Sequence, residues 1–277
     1  MPSPRAEADL DPVTLRSQWP VPDDADGDKH ERGTVLVIGG SDRTPGAVVL
    51  AGIAALRMGA GRLQIATDAH GAVVVGARVP EALVVPARDT DALGELIERA
   101  DAIVVGPGLI DEELTASLVA TVFARARPAS PVIVDAAALR ELGTGAHQSR
   151  DALILTPNHQ ELRALVGHEQ TQPHLAVAAR YGAAVISTRL VTDPTGQTWR
   201  DPQPVTGLGT SGSGDVLAGA AGGMAARGGQ PTPAACWAAL AHRAAGRALA
   251  RRVGPTGYLA SELADQLAST MAELTAG

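Results

Sequence analysis

The chain has 277 residues, of which 45% are hydrophobic and 19% charged, which is enough apolar sequence for a large core in one α/β domain. A net charge of −7 argues against DNA or RNA as a partner, because nucleic-acid binding needs a basic surface. The single cysteine, Cys236, excludes an intrachain disulfide and a multi-cysteine metal site. We find no apolar run near the roughly 20 residues of a membrane span and no apolar signal core, so we expect a cytoplasmic protein without membrane contact.

Residues 1–30 are rich in Pro, Asp and Ala with little periodicity, so we predict a loosely ordered lead-in to a single domain over residues 31–277. In that domain, apolar strands alternate with helices, which predicts an α/β fold with a mostly parallel central sheet and helices on both faces. The predicted strands cover residues 34–38, 62–66, 82–85, 102–105, 132–134, 153–155 and 183–187. Residues 190–192 and 198–200 predict an antiparallel hairpin at an edge. The predicted helices cover residues 46–58, 91–99, 112–126, 136–142, 159–166, 214–226, 233–252 and 260–274.

The predicted strands end in turns that carry glycine and polar residues, and open α/β sheets bind ligands at these carboxyl ends. Gly-Pro-Gly follows one strand at residues 106–108, and Asp135 follows the next. Asp135 either orients a ligand or caps the helix after it, and the sequence leaves both readings open. Asn158 and Glu161 lie on one side of a helix start, a spacing that suits a largely hydrated Mg²⁺ ion. The same pair also matches a capping box, and both roles can hold at once.

Residues 206–219 read as a glycine-rich loop that runs into a helix, with Ser213 as the candidate N-cap. Free N–H groups at such a helix start, together with the helix dipole, predict an anion site. The carboxylate of Asp215 would repel a phosphate there unless it has a catalytic role. One such role is the general base that deprotonates a hydroxyl about to receive a phosphoryl group. The alternative is a simple connection in which Asp215 only favours the helix dipole.

The loop sequence Gly-Thr-Ser-Gly-Ser-Gly-Asp-Val-Leu-Ala-Gly at residues 209–219 resembles the C-terminal signature of the ribokinase-like superfamily. With the block at residues 33–67, it is most similar to the ADP/ATP-dependent NAD(P)H-hydrate dehydratase family, and the resemblance runs over residues 33–274. It implies a ribokinase-like three-layer sandwich and a nucleotide-binding lyase for metabolite repair. Such an enzyme phosphorylates the hydroxyl of hydrated NADH or NADPH with ADP or ATP and Mg²⁺, and elimination follows. The sequence does not decide between the two nucleotides or the two hydrates.

The resemblance also implies roles for individual residues. Asp215 is the expected base, and the amides of Gly212, Ser213 and Gly214 are expected to stabilise the transferred phosphoryl group. The expected substrate contacts are Ala47, Gly108, Asn158, His159 and Asp215. The expected nucleotide contacts are Ser187, Thr188, Arg189, Thr210, Gly212 and Gly214. Glu161 and Asn158 are the expected Mg²⁺ residues. We also expect a homo-oligomer, from the resemblance and from the small residues of the helix over 46–58. His242, on a small-residue helix, is expected to be a packed core histidine.

Two departures from the family pattern stand out. The dehydratases more often carry histidine where Asn158 stands, and here His159 comes one residue later. Their strand before the hairpin usually ends in Lys-Gly, with the lysine near the nucleotide phosphates, whereas this chain has Ser187-Thr188-Arg189. A forked guanidinium does not replace a compact ammonium neutrally, so we expect weak nucleotide binding.

Two alternative functions follow. One is a small-molecule kinase of the same superfamily, acting on an alcohol such as hydroxyethylthiazole. The pair formed by Asn158 and Glu161 favours a kinase, whereas the block at residues 33–67 does not. The other is a non-catalytic nucleotide-binding homologue.

Overall fold

The computed structural model describes residues 7–21, 31–143, 150–167 and 170–276. The strands in these residues are β1 Ala8–Asp9, β2 Thr34–Ile38, β3 Arg62–Thr67, β4 Ala82–Pro86, β5 Ala102–Val105, β6 Val132–Val134, β7 Leu153–Leu155, β8 Ala184–Ser187, β9 Leu190–Thr192 and β10 Thr198–Arg200. The helices are α1 Pro12–Gln18, α2 Gly46–Arg57, α3 Ala69–Arg78, α4 Thr90–Arg99, α5 Glu112–Arg125, α6 Ala138–Leu142, α7 His159–Val166, α8 Pro173–Tyr181, α9 Ser213–Ala226, α10 Pro231–Arg252 and α11 Ala260–Thr275. A 3₁₀ turn spans Thr206–Gly209.

The strands form one sheet in the order β1-β10-β9-β8-β7-β6-β5-β2-β3-β4. Every neighbouring pair is parallel except the two pairs that contain β9. Side chains of β2 alternate between two cores, with Val35 and Val37 in one and Leu36 and Ile38 in the other. Both faces of the central strands are therefore buried under helices. The predicted three-layer arrangement with a mostly parallel sheet is confirmed.

The helix over 136–142 was predicted two residues too long, because Ala136 has a φ of +49° and the helix starts only at Ala138. Asp135 therefore does not cap α6, whose N-cap is Ala137 without a side-chain hydrogen bond. The sequence analysis also did not predict α3 and α8. The hairpin β9–β10 does not lie at the edge, since β1 pairs with the outer side of β10.

The loosely ordered lead-in was expected over residues 1–30, and the structure describes residues 7–21 of it. These residues form β1 and α1, so for them the expectation is wrong. The cause is packing: Leu15 is fully buried, and Trp237 Nε1 donates a hydrogen bond of 2.8 Å to the carbonyl oxygen of Trp19. The rest of the predicted segment lies outside the described residues. The single domain proposed over residues 31–277 stays a prediction.

Helices α2 and α9 approach each other closely through small residues. A Cβ atom on Gly219 would lie 2.0 Å from the carbonyl oxygen of Ala51, and one on Gly223 would lie 2.4 Å from that of Ala55. Only glycine allows this backbone approach. The small residues of α2 are thus used inside the chain, so the expectation of a homo-oligomer depends on the resemblance alone.

No helix in the described part of the chain combines the length and the apolar character that crossing a membrane requires.

The α2–α9 contact predicts that Gly219→Ala destabilises the protein. The new methyl group meets rigid backbone, so we expect the free energy of unfolding to fall by about 1–3 kcal/mol, as for overpacked cores. Gly76→Ala is the control, because Gly76 is exposed in α3 with nothing within 4 Å of a Cβ. That change should stabilise α3 by roughly 0.5–1 kcal/mol. Urea unfolding measures both, and a Gly219→Ala value within about 0.5 kcal/mol of wild type would contradict the packing argument.

Candidate active site

The glycine-rich loop places the first turn of α9 at the carboxyl end of the sheet. Its N-cap is Gly212, whose φ is +86°, and no side chain caps the helix. A Cβ on Gly212 would lie 2.6 Å from Leu50 Cδ1, so this glycine is closed in by α2. Gly214 is exposed, and a Cβ there would meet nothing within 4 Å. The uncapped, positively polarised helix start is therefore open to an anion at Gly214.

Ser213 is not the N-cap that the sequence analysis expected. Its side chain is buried and turned toward His242, whose Nε2 lies 3.1 Å from Ser213 Oγ and 3.0 Å from the Ser213 carbonyl oxygen. A carbonyl oxygen only accepts, so Nε2 carries the proton in this contact. Burial lowers the pKa of His242 to about 4, which keeps the ring neutral. His242 is 5% exposed, so the prediction of a packed histidine is confirmed, and its position supports the glycine loop from behind.

Three carboxyl groups come together at this end of the sheet. Asp215 lies in the first turn of α9, and burial raises its pKa to about 6. Asp135 follows β6 and accepts a hydrogen bond of 2.7 Å from Thr156 Oγ1. Burial raises the pKa of Asp135 to about 7 against that hydrogen bond, and the negative charges of Asp215 and Glu161 add to the increase. A raised pKa makes Asp215 and Asp135 suited to proton transfer near neutral pH.

The capping box predicted at Asn158 and Glu161 is present. Asn158 Oδ1 accepts hydrogen bonds from the N–H groups of Gln160 and Glu161 at 2.9 and 3.0 Å, and Glu161 Oε2 accepts from the Asn158 N–H at 2.8 Å. Both lone pairs of Asn158 Oδ1 are thereby used, so this oxygen is not free to bind a metal ion. Glu161 retains one carboxylate oxygen outside the capping box.

The described residues contain no group of three acidic, histidine or cysteine side chains that could hold a metal ion. A Mg²⁺ ion needs no such group, since it keeps several waters and binds through one or two carboxylates together with substrate phosphates. Glu161, with one free oxygen beside Asp135 and Asp215, fits that type of site.

A cavity of about 400 Å³ lies beside the glycine loop. Its walls come from the start of α7, the β8–β9 turn, the 3₁₀ turn and the first turn of α9. The predicted site residues that line it are Asn158, His159, Thr188, Arg189, Ser213 and Gly214. Among the other predicted nucleotide contacts, Ser187 is buried at the end of β8, and the Thr210 carbonyl oxygen accepts from the Ser213 N–H at 3.3 Å.

Ala47 and Gly108, the predicted substrate contacts, meet at the ends of β2 and β5. Gly108 has a φ of +70°, and a Cβ on it would lie 2.7 Å from Ala47 Cβ. Thr44 Oγ1 donates a hydrogen bond of 2.7 Å to the Gly108 carbonyl oxygen. A further cavity of about 550 Å³ is lined by Leu109, Ala136 and Glu161, among others. The predicted residues therefore lie along one edge of the sheet, where Asn158 and His159 line the cavity beside the loop and Glu161 lines the further cavity.

Sequence reasoning missed Arg243, which lines the cavity beside the loop. Its side chain is 8% exposed and pairs with Asp201 at 2.7 Å. The same guanidinium donates to the carbonyl oxygens of Thr188 and Gln203 at 2.7 and 2.8 Å. Thr188 has a φ of +43°, and in the described chain only Ala136 shares this left-handed conformation among non-glycine residues. Arg243 thus holds the strained β8–β9 turn.

Asp201 also pairs with Arg247 at 2.6 Å. Burial alone would raise the pKa of Asp201, but the hydrogen bonds from Arg247, the Gln203 N–H and Arg243 outweigh it and hold the pKa below its usual value. The available signal for this network was an arginine among the small apolar residues in the middle of α10. Nearly all basic residues of the chain are arginines, since Lys29 is the only lysine, so Arg243 did not stand out in the sequence.

Comparison with known proteins matches residues 35–269 to the family described as NAD(P)H-hydrate dehydratase. The ADP-dependent (S)-NAD(P)H-hydrate dehydratase of Xanthomonas campestris pv. campestris is 39% identical over 96% of each chain. The ADP/ATP-dependent NAD(P)H-hydrate dehydratase of Bacillus subtilis, co-crystallised with ATP and Mg²⁺, superposes with a TM-score of 0.83 at 27% identity, covering 97% of this chain and 99% of that one. A ribokinase-like superfamily protein of Enterococcus faecalis gives a TM-score of 0.86 at 25% identity, covering 98% and 97%. The predicted ribokinase-like fold is confirmed.

The buried pair predicts that Arg243→Gln is strongly destabilising. Breaking a buried ion pair costs about 3–5 kcal/mol, and we expect a value near the lower end because Arg247 still pairs with Asp201. Arg251→Gln, on the exposed side of the same helix, serves as the control and should stay within about 0.5 kcal/mol of wild type. Denaturant unfolding measures both variants, and equal stabilities would show that the Arg243 network does not hold this region.

Proposed function

Because the chain belongs to the NAD(P)H-hydrate dehydratase family, we propose that it restores hydrated NADH or NADPH to the reduced dinucleotide with ADP or ATP as phosphoryl donor. The observation that carries this proposal is the position of Asp215. A partly buried carboxylate stands in the first turn of an uncapped helix whose start is open to an anion. That arrangement suits the transfer of a phosphoryl group to a hydroxyl.

The chemistry explains why a kinase-like site can run a dehydration. Hydration of the nicotinamide ring leaves a C6 alcohol, and hydroxide is a poor leaving group. Phosphorylation turns the hydroxyl into a good leaving group, and elimination then restores the ring double bond. Asp215 takes the hydroxyl proton, while the amides of Gly212 and Gly214 stabilise charge on the transferred group. The Ser213 N–H, also expected there, donates instead to the Thr210 carbonyl oxygen.

The nucleotide takes the cavity beside the glycine loop, whose walls include Thr188, Arg189 and Gly214. This places its terminal phosphate over the start of α9. The hydrate lies on the side of Ala47 and Gly108, so that its hydroxyl and the phosphate meet at Asp215. Mg²⁺ held near Glu161 neutralises phosphate charge when it is bound. A cytoplasmic location, like the homo-oligomer, stays a prediction.

The kinase alternative loses its main support. It relied on the pair formed by Asn158 and Glu161, and both side chains take part in the capping box of α7. Because this pair has a structural role at the start of α7, its presence does not distinguish a kinase from a dehydratase. The non-catalytic alternative gains nothing from the site either, because Asp215 and the open helix start are both present.

The proposed base predicts that Asp215→Asn loses turnover and retains nucleotide binding. General-base catalysis contributes roughly 10²- to 10⁴-fold, so we expect a loss of that size in kcat. The pKa of Asp215 is raised to about 6 and the base acts as the carboxylate, so the single-turnover rate of nucleotide cleavage by the wild-type protein should rise with pH through about 6 and then level off. Steady-state assays, single-turnover assays across pH and calorimetry for nucleotide binding make the measurement. Turnover within about tenfold of wild type would remove Asp215 from this role.

The missing lysine predicts weak nucleotide binding. Arg189 Nη1 donates to the Pro202 carbonyl oxygen at 3.3 Å, so the one cation of the turn is partly engaged. One lost charge-assisted contact weakens binding by about 1.5–3 kcal/mol, or roughly 10- to 150-fold. Calorimetric titration with ADP and ATP in Mg²⁺, beside the Bacillus subtilis enzyme, measures the difference. Arg189→Lys should tighten binding, whereas low-micromolar affinity of the wild-type protein for either nucleotide contradicts the prediction.

A further inference from the structure

Dehydration of the hydrate requires the removal of two protons, and this inference depends on the function proposed above. The first proton leaves the C6 hydroxyl during phosphoryl transfer. The second leaves C5 during elimination, because the ring double bond re-forms between C5 and C6. Asp215 holds the hydroxyl proton when the second step begins, so a separate base at the site would allow elimination without waiting for Asp215 to release it.

The described groups at this edge of the sheet offer few bases. His242 is buried beneath the loop and contacts Ser213 through Nε2. Glu161 uses one carboxylate oxygen in the capping box and is the candidate Mg²⁺ residue. His159 lies on the nucleotide side, in the wall of the cavity beside the loop. Two further carboxyl groups, Glu112 and Glu141, line the cavity of about 550 Å³. Asp135 differs from them because it is buried and close enough to Asp215 for the charge of Asp215 to raise its pKa, and nothing in the nucleotide or phosphoryl chemistry uses it.

The surroundings of Asp135 suit a group that contacts substrate. It lies between the Gly-Pro-Gly turn and Thr156, and a Cβ on Gly106 would come within 1.9 Å of the Asp135 carbonyl oxygen. Ala136, the next residue, lines the cavity of about 550 Å³ together with Leu109, so the chain directly after Asp135 faces that cavity. The residue itself is 5% exposed, so it is enclosed but not sealed.

The backbone at this point is strained. Ala136 has a φ of +49°, a conformation that costs about 1–3 kcal/mol in a residue with a Cβ and that concentrates at functional sites. The strained turn moves the start of α6 to Ala138, so Asp135 is not used as a helix cap. Thr156 Oγ1 donates a hydrogen bond of 2.7 Å to Asp135 Oδ1 and so fixes the orientation of the carboxyl group.

We propose that Asp135 is the second catalytic base, which removes the C5 proton of the phosphorylated hydrate. The C6–O bond breaks, and its electron pair leaves with the phosphate group, helped by the lone pair of the ring nitrogen. The electron pair of the C5–H bond forms the C5–C6 double bond, and the proton passes to the Asp135 carboxylate and then to solvent. No oxidant or reductant takes part, and the products are the reduced dinucleotide and inorganic phosphate.

Single-turnover experiments with Asp135→Asn separate the two steps. Nucleotide cleavage should stay within about tenfold of wild type, whereas formation of reduced nicotinamide should slow by roughly 10²- to 10⁴-fold. The phosphorylated hydrate should accumulate in between. A hydrate dideuterated at C5 should slow nicotinamide formation further and leave nucleotide cleavage unchanged. A residue with only a structural role would not produce this isotope effect.

Asp135→Glu keeps a carboxylate at the site and serves as the second variant if Asp135→Asn does not fold. It should retain more elimination than asparagine, with thermal unfolding and nucleotide affinity as checks on structure. The proposal is overturned if both steps slow together in either variant, or if elimination stays at the wild-type rate in Asp135→Asn. In the latter case Asp215 serves both steps. The proposed function itself fails only if the wild-type protein produces no reduced nicotinamide.

Discussion

Helix α9 is held against α2 at backbone distance, and this contact positions the chemistry. Gly219 and Gly223 allow the approach, since any side chain there would meet a carbonyl oxygen of α2. At the other end of α9, Gly212 is enclosed by Leu50, and Ser213 is held by His242. The first turn of α9 is therefore held by contacts with α2 and α10 on one side, and its other side is open to a ligand. Asp215 and the loop amides have defined positions without needing a ligand to order them.

The central strands could be predicted closely from the sequence, because short β-branched apolar runs have few alternatives in a chain of this length. The bounds of β2, β5, β6 and β7 agree with the predicted ones. Helices α3 and α8 were not predicted from the sequence. The error over residues 7–21 has a different cause: α1 carries a recognisable Asp11 N-cap with proline after it, but its burial against Trp237 is long-range.

The candidate site was predictable to the extent that it follows strand ends and a loop signature. Asp135, Asn158 and Glu161 were found because parallel strands bring their carboxyl ends together, and Asp215 was found because it follows the glycine-rich loop. Ser213 was misassigned, since an N-cap and a buried hydroxyl facing His242 give the same local sequence. Arg243 was missed because its partners come from segments that are distant in the chain, and no local pattern reveals them. The wall of the proposed nucleotide cavity thus depends on tertiary contacts.

The most direct test of the account follows both substrates in one reaction. Hydrated NADH or NADPH is incubated with the protein, Mg²⁺ and ADP or ATP, and the cleaved nucleotide, reduced nicotinamide and phosphorylated product are quantified together. The account predicts that reduced nicotinamide and cleaved nucleotide form in equal amounts, with inorganic phosphate and no lasting phosphorylated hydrate. A stable phosphorylated alcohol without restored nicotinamide absorbance would contradict it and identify the protein as a kinase.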